Sequence, residues 1–341
     1  MNGKNDLLLE TKNLKMYFPI TSGFLRRQIG EVKAVDDVSF VLREKETLGL
    51  VGESGCGKTT TGRCIMRGYK PTSGELLYHT RDKGVVDLMR LGTGELRPYR
   101  KEIRMIFQDP HSSLNPRLNV LEIIGEPLKV NRIASGTELQ DRVVDLMKKV
   151  GLRPEFIRRY PHAFSGGERQ RIGIARALAL NPRLIVCDEA VSALDVSVRA
   201  QTINLLKDLQ DEFDLTYIFV AHDLSVVEHI SNRVAVMYIG RIVELADKKS
   251  LYENPQHPYT EALMSAVPKP DPRLRGKGVR IRLEGEVADP GNQPKGCHFH
   301  PRCRYATDRC RIEKPELREV RPGQHAACHR SEELSLRGVA R

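Results

Sequence analysis

Residues 52–59 read GESGCGKT, the G-x-x-x-x-G-K-[ST] spacing of a phosphate-binding loop. Glycines let successive backbone N–H groups converge on phosphate oxygens, and the helix start that follows adds partial positive charge. Gly52, Glu53, Ser54, Gly55, Cys56 and Gly57 supply that backbone. Lys58 then reaches the β- and γ-phosphates, and Thr59, with Thr60 beside it, offers a hydroxyl to Mg2+. The pattern implies a bound nucleoside triphosphate. Residues 184–189 read LIVCDE, an apolar run ending in two carboxylates at the carboxyl edge of a sheet, where phosphate loops sit. Asp188 suits Mg2+, and Glu189 suits orienting and deprotonating an attacking water. Ser165, Gly166, Gly167 and Glu168 open a helical pattern and make a second anion cradle. One nucleotide needs one cradle, so two imply a shared site. Four cysteines, Cys297, Cys303, Cys310 and Cys328, form the last candidate group. None of their spacings is the C-x2–4-C pair of most zinc sites, and four thiolates can hold a [4Fe–4S] cluster. A cluster, Zn2+ and unligated thiols all remain open, with His298, His300, His325 and His329 as nearby alternates.

These groups need rigid elements behind them. Short β-rich apolar runs alternate with helical patterns, which predicts an α/β fold. Strands are expected at Thr47–Val51, Ile103–Phe107, Leu184–Cys187, Thr216–Ala221 and Val234–Tyr238. Residues 138–150 place Leu139, Val143, Leu146, Met147 and Val150 on one helical face, and 196–213 repeat Val198, Leu205, Leu206, Leu209 and Phe213. The Pro/Gly-rich stretch 268–296 reads as a linker, giving a first domain over 1–267 and a second over 268–341.

Composition limits the function classes. The 341 residues are 40% hydrophobic and 29% charged, which describes a globular protein rather than a fibre or disordered chain. No apolar run reaches the ~18 residues of a spanning helix, and the first residues lack a secretory leader pattern, so export is not expected. Seven cysteines without that leader argue against a disulfide framework. Cys56 and Cys187 read as small space-filling residues, although a thiol reagent at Cys56 would strike the loop. Of the net charge of +11, +7 falls in residues 269–341, with 17 Lys/Arg against 10 Asp/Glu.

Between the two nucleotide motifs lies FSGGERQRIGIARAL, residues 164–178. Here the chain resembles the ATP-binding-cassette ATPases, whose signature is LSGGQ. The resemblance implies a P-loop NTPase cassette: a mixed, mainly parallel sheet, a helical subdomain near 110–180, an antiparallel β subdomain and a small C-terminal cysteine-bearing domain. It also implies ATP hydrolysis in a head-to-tail dimer, each signature closing over the other subunit's phosphate loop. By the same resemblance Gln108 senses Mg2+ and the membrane partner, Asp195 in the run 192–195 crosses the interface, and His222 contacts the γ-phosphate. Tyr17 stacks on adenine, the alternatives being that neighbouring Phe18 does so or that either ring is core. Two positions depart from the family pattern. Glu168 replaces the usual Gln, and Ala190 replaces the usual Pro, which is expected to loosen the turn after Glu189.

The run RMIFQDPHSSLNPR (104–117), Ala193–Ser197 and the HPYT run at 257–260 resemble the ATPases of oligopeptide and dipeptide importers, in particular the second of their two ATPase subunits. That likeness implies a heterodimer with a sister ATPase, two permease subunits and an extracytoplasmic peptide-binding protein. It places the chain on the cytoplasmic face of the bacterial inner membrane and assigns a [4Fe–4S] cluster to the cysteine motif. The competing class is a non-transport cassette acting on nucleic acid or ribosomes. Against it stand a single cassette, no sustained heptads and no interleaved aromatics in the basic tail, so no nucleic-acid partner is expected. A small-molecule kinase would have no use for the Ser-Gly-Gly cradle. The insertion at 22–32 is expected to be a variable loop, the alternative being a hairpin that touches a partner.

Overall fold

The computed structural model describes residues 6–23, 27–267, 281–286 and 288–339. The chain forms two compact units, one of residues 1–42, 48–90 and 221–341, the other of residues 43–47 and 91–220. The first unit opens with β1 (Leu7–Ser22), β2 (Arg27–Arg43) and β3 (Thr47–Val51), followed after the helix Lys58–Ile65 by β4 (Ser73–His79) and β5 (Val85–Asp87). Four of these make one sheet in the order β2-β1-β4-β5, with β1 antiparallel to β4 and Leu9 opposite Tyr78. Val38, Phe40 and Leu42 are buried at every second position of β2, the period of a strand with one face on a core. The insertion at 22–32 is not simply a loop. Ser22 ends β1 and residues 27–32 lie in β2, while 24–26 fall outside the described residues. Once two strands are neighbours, each further residue joins the ladder at little added closure cost.

The second unit holds β6 (Ile103–Ile106), β7 (Leu184–Asp188) and β8 (Thr216–Ala221), in parallel register with Ile106 opposite Cys187 and Asp188 opposite Val220. Every residue of β7 is buried, as its unbroken apolar run predicts. Around these strands lie the helices Val120–Val130, Gly136–Lys149, Gly166–Leu178 and Val196–Phe213. The first starts on a capping box, Asn119 with Glu122. The last begins and ends where its hydrophobic period does.

The chain then returns to the first unit with β9 (Arg233–Tyr238) and β10 (Arg241–Asp247), and ends with β11 (Arg318–Arg321) and β12 (Gln324–Ala326). β3 runs parallel to β9, while β9, β10, β12 and β11 pair antiparallel in that order. The sheet is therefore mixed, and the fold is the α/β class expected. The cysteine-bearing C-terminal segment adds β12 to the edge of β10, with Glu244 opposite Ala326. A short Pro-rich tail cannot build a large core alone, and an open edge strand offers it ready hydrogen bonds. Of the expected linker, residues 268–280 and 287 lie outside the described residues. No helix among the described residues is long and apolar enough to cross a membrane.

Candidate functional site

β3 delivers the phosphate loop in the first unit. Gly57, at φ 104°, precedes the helix Lys58–Ile65, and a Cβ there would stand 2.1 Å from the Ala34 carbonyl oxygen. Only glycine fits that turn. Below the loop, the Gly240 N–H donates to Cys56 O (2.9 Å) and the Asp36 N–H donates to Gly240 O (2.8 Å). Lys58, 4% exposed, donates from Nζ to Gly52 O (2.8 Å) and Glu53 O (3.0 Å). Its ammonium thus lies over the loop whose N–H groups would meet phosphate. Ser54 and Gly55 are exposed at the crest, and Thr59 and Thr60 are half-buried at the helix start. Cys56 and Cys187 are buried, and burial raises both thiols above their usual range, consistent with space-filling roles. His222 is exposed just beyond β8, and its neighbour Asp223 caps the helix Leu224–Ile230 by accepting the Ser225 N–H (2.9 Å).

In the second unit, buried Asp188 ends β7 and Glu189 turns the chain at φ 45°. Three hydrogen bonds pin that turn. The Glu189 N–H donates to Val220 O (3.0 Å), and Glu189 O accepts from the Ser192 N–H (3.0 Å) and Oγ (2.9 Å). Ala190, in the proline's place, is 1% exposed, so packing and these bonds hold a turn that was expected to be loose. Gln108 Nε2 donates to Glu189 Oε2 at 2.8 Å, bringing together two site candidates 81 positions apart.

The signature's departure also has a structural account. Ser165 is the N-cap of the helix Gly166–Leu178, its Oγ accepting the Glu168 N–H (3.3 Å). The Glu168 carboxylate accepts from the Ser165 N–H (2.9 Å) and Oγ (2.8 Å). A capping box works with Glu or Gln at this position. The Ser165 backbone and side-chain hydrogen bonds hold the Glu168 carboxyl below its usual range. Its charge is folded back onto its own helix cap. Asp195 is exposed immediately before the helix Val196–Phe213.

Tyr17 is half-buried on β1, and its hydroxyl donates to Asp36 Oδ1 (2.6 Å). Phe18 instead packs edge-on against Tyr69 at 5.6 Å. Asp36 also accepts from Arg241 Nε (2.9 Å) and Lys314 Nζ (3.1 Å). Burial pushes the Asp36 carboxyl up, but these three partners outweigh it and hold the group below its usual range. Burial, then the bond to Asp36, raises the Tyr17 phenol.

The four tail cysteines line one cavity, together with Phe299 and Leu334. The Cys297 N–H donates to Cys310 O (2.8 Å) and the Cys303 N–H to His300 O (3.2 Å). Burial pushes Cys297 up to about 12 and Cys328 up to about 11. Among the described residues, no three His, Cys, Asp or Glu side chains are grouped to hold a metal ion. His300 and His329 are engaged by backbone carbonyls, of Cys297 and Glu313 respectively.

Two residues of the first unit escaped the sequence reading. The Glu53 N–H donates to the Tyr259 hydroxyl (2.8 Å), and Arg302 pairs with the Glu53 carboxylate. Tyr259 lies in the HPYT run and Arg302 between two of the cysteines. Those positions were the only signal available.

Residues 35–192 match the family model described as ABC transporter, and residues 243–310 match that for the oligopeptide/dipeptide transporter C-terminal region. The chain is 53% identical over 325 residues to an oligopeptide transport ATP-binding protein, AppF, of Bacillus subtilis, covering 95% of this chain and 97% of that one. It is 50% identical to a dipeptide transport ATP-binding protein, DppF, of Haemophilus influenzae, with the same two coverages. Among solved structures it resembles the dimeric post-hydrolysis state of the ATP-binding cassette MJ0796 bound to ADP and Pi. The TM-score is 0.61 at 28% identity, covering 71% of this chain and 99% of that one.

Proposed function

This chain belongs to the ATP-binding-cassette transporter ATPases, and from that premise we propose that it energises a bacterial peptide importer, for oligopeptides or dipeptides. The observation that carries the reading is the run of peptide-transport relatives, matching 95% of the chain. It works as an ATPase. Lys58 and the loop N–H groups hold the β- and γ-phosphates, and His222 contacts the γ-phosphate. Thr59, Gln108 and Asp188 would hold Mg2+, which when bound neutralises charge on the phosphates. Glu189 takes the proton of the attacking water, and its 2.8 Å bond to Gln108 fixes the carboxylate for that task. This is positioning and charge stabilisation, as phosphoryl transfer demands. Tyr17 serves the adenine. Ser165, Gly166, Gly167 and Glu168 close over the nucleotide of a second cassette, and Asp195 lies at that crossing.

The partners are a second ATPase subunit in a heterodimer, two permeases and an extracytoplasmic peptide-binding protein, with the chain peripheral on the cytoplasmic face of the inner membrane. The C-terminal match to the oligopeptide/dipeptide model supports this assembly. For the cysteines, the reading is a [4Fe–4S] cluster held by Cys297, Cys303, Cys310 and Cys328. Four thiols that line one cavity support that reading, since four thiolates are the ligand set of such a cluster. Its chemistry there is structural cross-linking of a tail with little core of its own.

The test is ATP hydrolysis by the reconstituted transporter in vesicles, with the binding protein supplied. Hydrolysis that rises when the binding protein carries peptide supports the reading. Hydrolysis indifferent to every peptide but raised by nucleic acid would transfer the chain to the non-transport class.

A further inference from the structure

We infer that Arg302 is a positioning residue of the phosphate loop, through which the cysteine segment sets the loop's hold on nucleotide. The inference rests on the ATP-binding reading above. Glu53, the loop's second residue, is gripped at both its backbone and its side chain. Its carboxylate accepts from Arg302 Nη1 (2.6 Å) and Nη2 (3.1 Å), the two-pronged geometry that makes Arg–carboxylate pairs strong and directional. Its N–H donates to the Tyr259 hydroxyl at 2.8 Å. The Arg302 side chain is 7% exposed and that of Glu53 27%, so water screens the pair only in part.

The grip is anchored in packing. Tyr259 is fully buried, with its ring 5.4 Å from Phe299 and 4.7 Å from Tyr238, and Phe299 lies 5.2 Å from Tyr238. Three rings in mutual contact move little. Arg302 itself is set by the turn that carries the cysteines. Its N–H donates to Phe299 O (3.0 Å), and the next residue, Cys303, donates to His300 O (3.2 Å). Cys297 and Cys303 flank this turn and line the shared cavity.

On the other side of Glu53 stands the lysine of the loop. Lys58 Nζ donates to the Glu53 carbonyl at 3.0 Å, so displacing Glu53 displaces a seat of the ammonium that meets the phosphates. Charge acts in the same direction. An acid at this position repels a triphosphate unless a cation neutralises it, and Arg302 does so in a fixed geometry. Lysine would neutralise it without the fork.

The experiment measures ATP binding to the full-length chain, and its melting temperature, for Arg302→Gln, Arg302→Lys, Glu53→Gln and the double variant Arg302→Gln/Glu53→Gln. Arg302→Gln leaves an unpaired carboxylate beside the triphosphate and should weaken ATP binding about ten-fold. Glu53→Gln should weaken it less, and the double variant should match Glu53→Gln alone, because Arg302 acts only through Glu53. Arg302→Lys should fall between wild type and Arg302→Gln, and it carries the test if Arg302→Gln does not fold. In the assembled transporter the change should appear in KM for ATP, with kcat at saturating ATP within about two-fold. Unchanged affinity with a lowered melting temperature would reduce the pair to packing and overturn the inference. So would additive losses in the double variant. Lys58→Ala is the control: if it binds ATP normally, the nucleotide reading itself fails, independently of Arg302.

Discussion

The phosphate loop makes a sharp prediction at two of its glycines, Gly57 at a fixed position of the motif and Gly55 at a variable one. Gly57→Ala meets two penalties. The backbone stands at φ 104°, where a side chain costs about 1–3 kcal/mol. The new Cβ would also lie 2.1 Å from Ala34 O, well inside the ~3.5 Å at which non-bonded atoms settle. The obstructing atom is backbone of β2, so no rotamer change relieves it, and either the loop or the strand must move by about 1 Å. Overpacking of that kind costs a further 1–3 kcal/mol or so. A displacement of about 1 Å at a reacting site can cost about a hundred-fold. Gly55→Ala has φ 78° and open space around its Cβ, leaving only the dihedral cost of about 1–2 kcal/mol. The assay pairs urea unfolding with equilibrium binding of a fluorescent ATP analogue, both on the full chain. Gly57→Ala should lose about 3 kcal/mol or more and bind about a hundred-fold more weakly. Gly55→Ala should lose about 1–2 kcal/mol and bind within about ten-fold of wild type. Equal losses in the two variants would refute the reasoning, because the clash is the main term that separates them.

Glu189→Gln should cut hydrolysis by about 10²–10⁴ while ATP binding persists, as loss of a general base predicts. Gel filtration should then show ATP-stabilised cassette dimers, and normal turnover would remove Glu189 from that role. Buried Glu244 gives a pH signature. Burial raises its carboxyl from 4.5 to about 7, although Gln256, His257 and Gln324 donate to it. The folded chain therefore keeps a proton that the unfolded chain releases above pH 4.5, so stability falls as pH rises from about 4.5 to 7. The drop is on the order of 3 kcal/mol. Urea midpoints across that range should fall in wild type and flatten in Glu244→Gln; identical slopes would exclude Glu244 as the cause. Anaerobically purified chain should contain about four iron and four sulfide per chain with visible absorption. Stoichiometric zinc without sulfide would end the cluster reading.

Much of the site is legible because its parts are short and contiguous. The loop at 52–59, the acidic end of β7 and the Ser165 cap each consist of neighbouring residues whose turn chemistry or periodicity declares them. The helix Val196–Phe213 is legible for the same reason, since its hydrophobic period and its boundaries coincide. Local patterns misled where tertiary contacts supplied what they lacked. The turn after Glu189 looked loose without its proline, yet Val220 and Ser192 hold it. For the insertion at 22–32 the sequence favours a variable loop over a hairpin, yet Ser22 ends β1 and residues 27–32 lie in β2. The Glu168 substitution added a charge whose direction no motif states, and the capping box turns it inward.

By itself, then, the sequence determined the class of fold, the nucleotide chemistry and the identity of Lys58, Asp188, Glu189 and the four cysteines as its candidates. Periodicity and spacing encode such features within a few turns of chain. Only the tertiary structure decided that Gln108 bonds Glu189, that β12 closes the edge of β10, and that Arg302, 249 positions away, grips Glu53. These contacts depend on strand register and on which edge remains open when the sheet assembles. They are properties of the whole chain folded at once, and no local rule of helix or turn contains them.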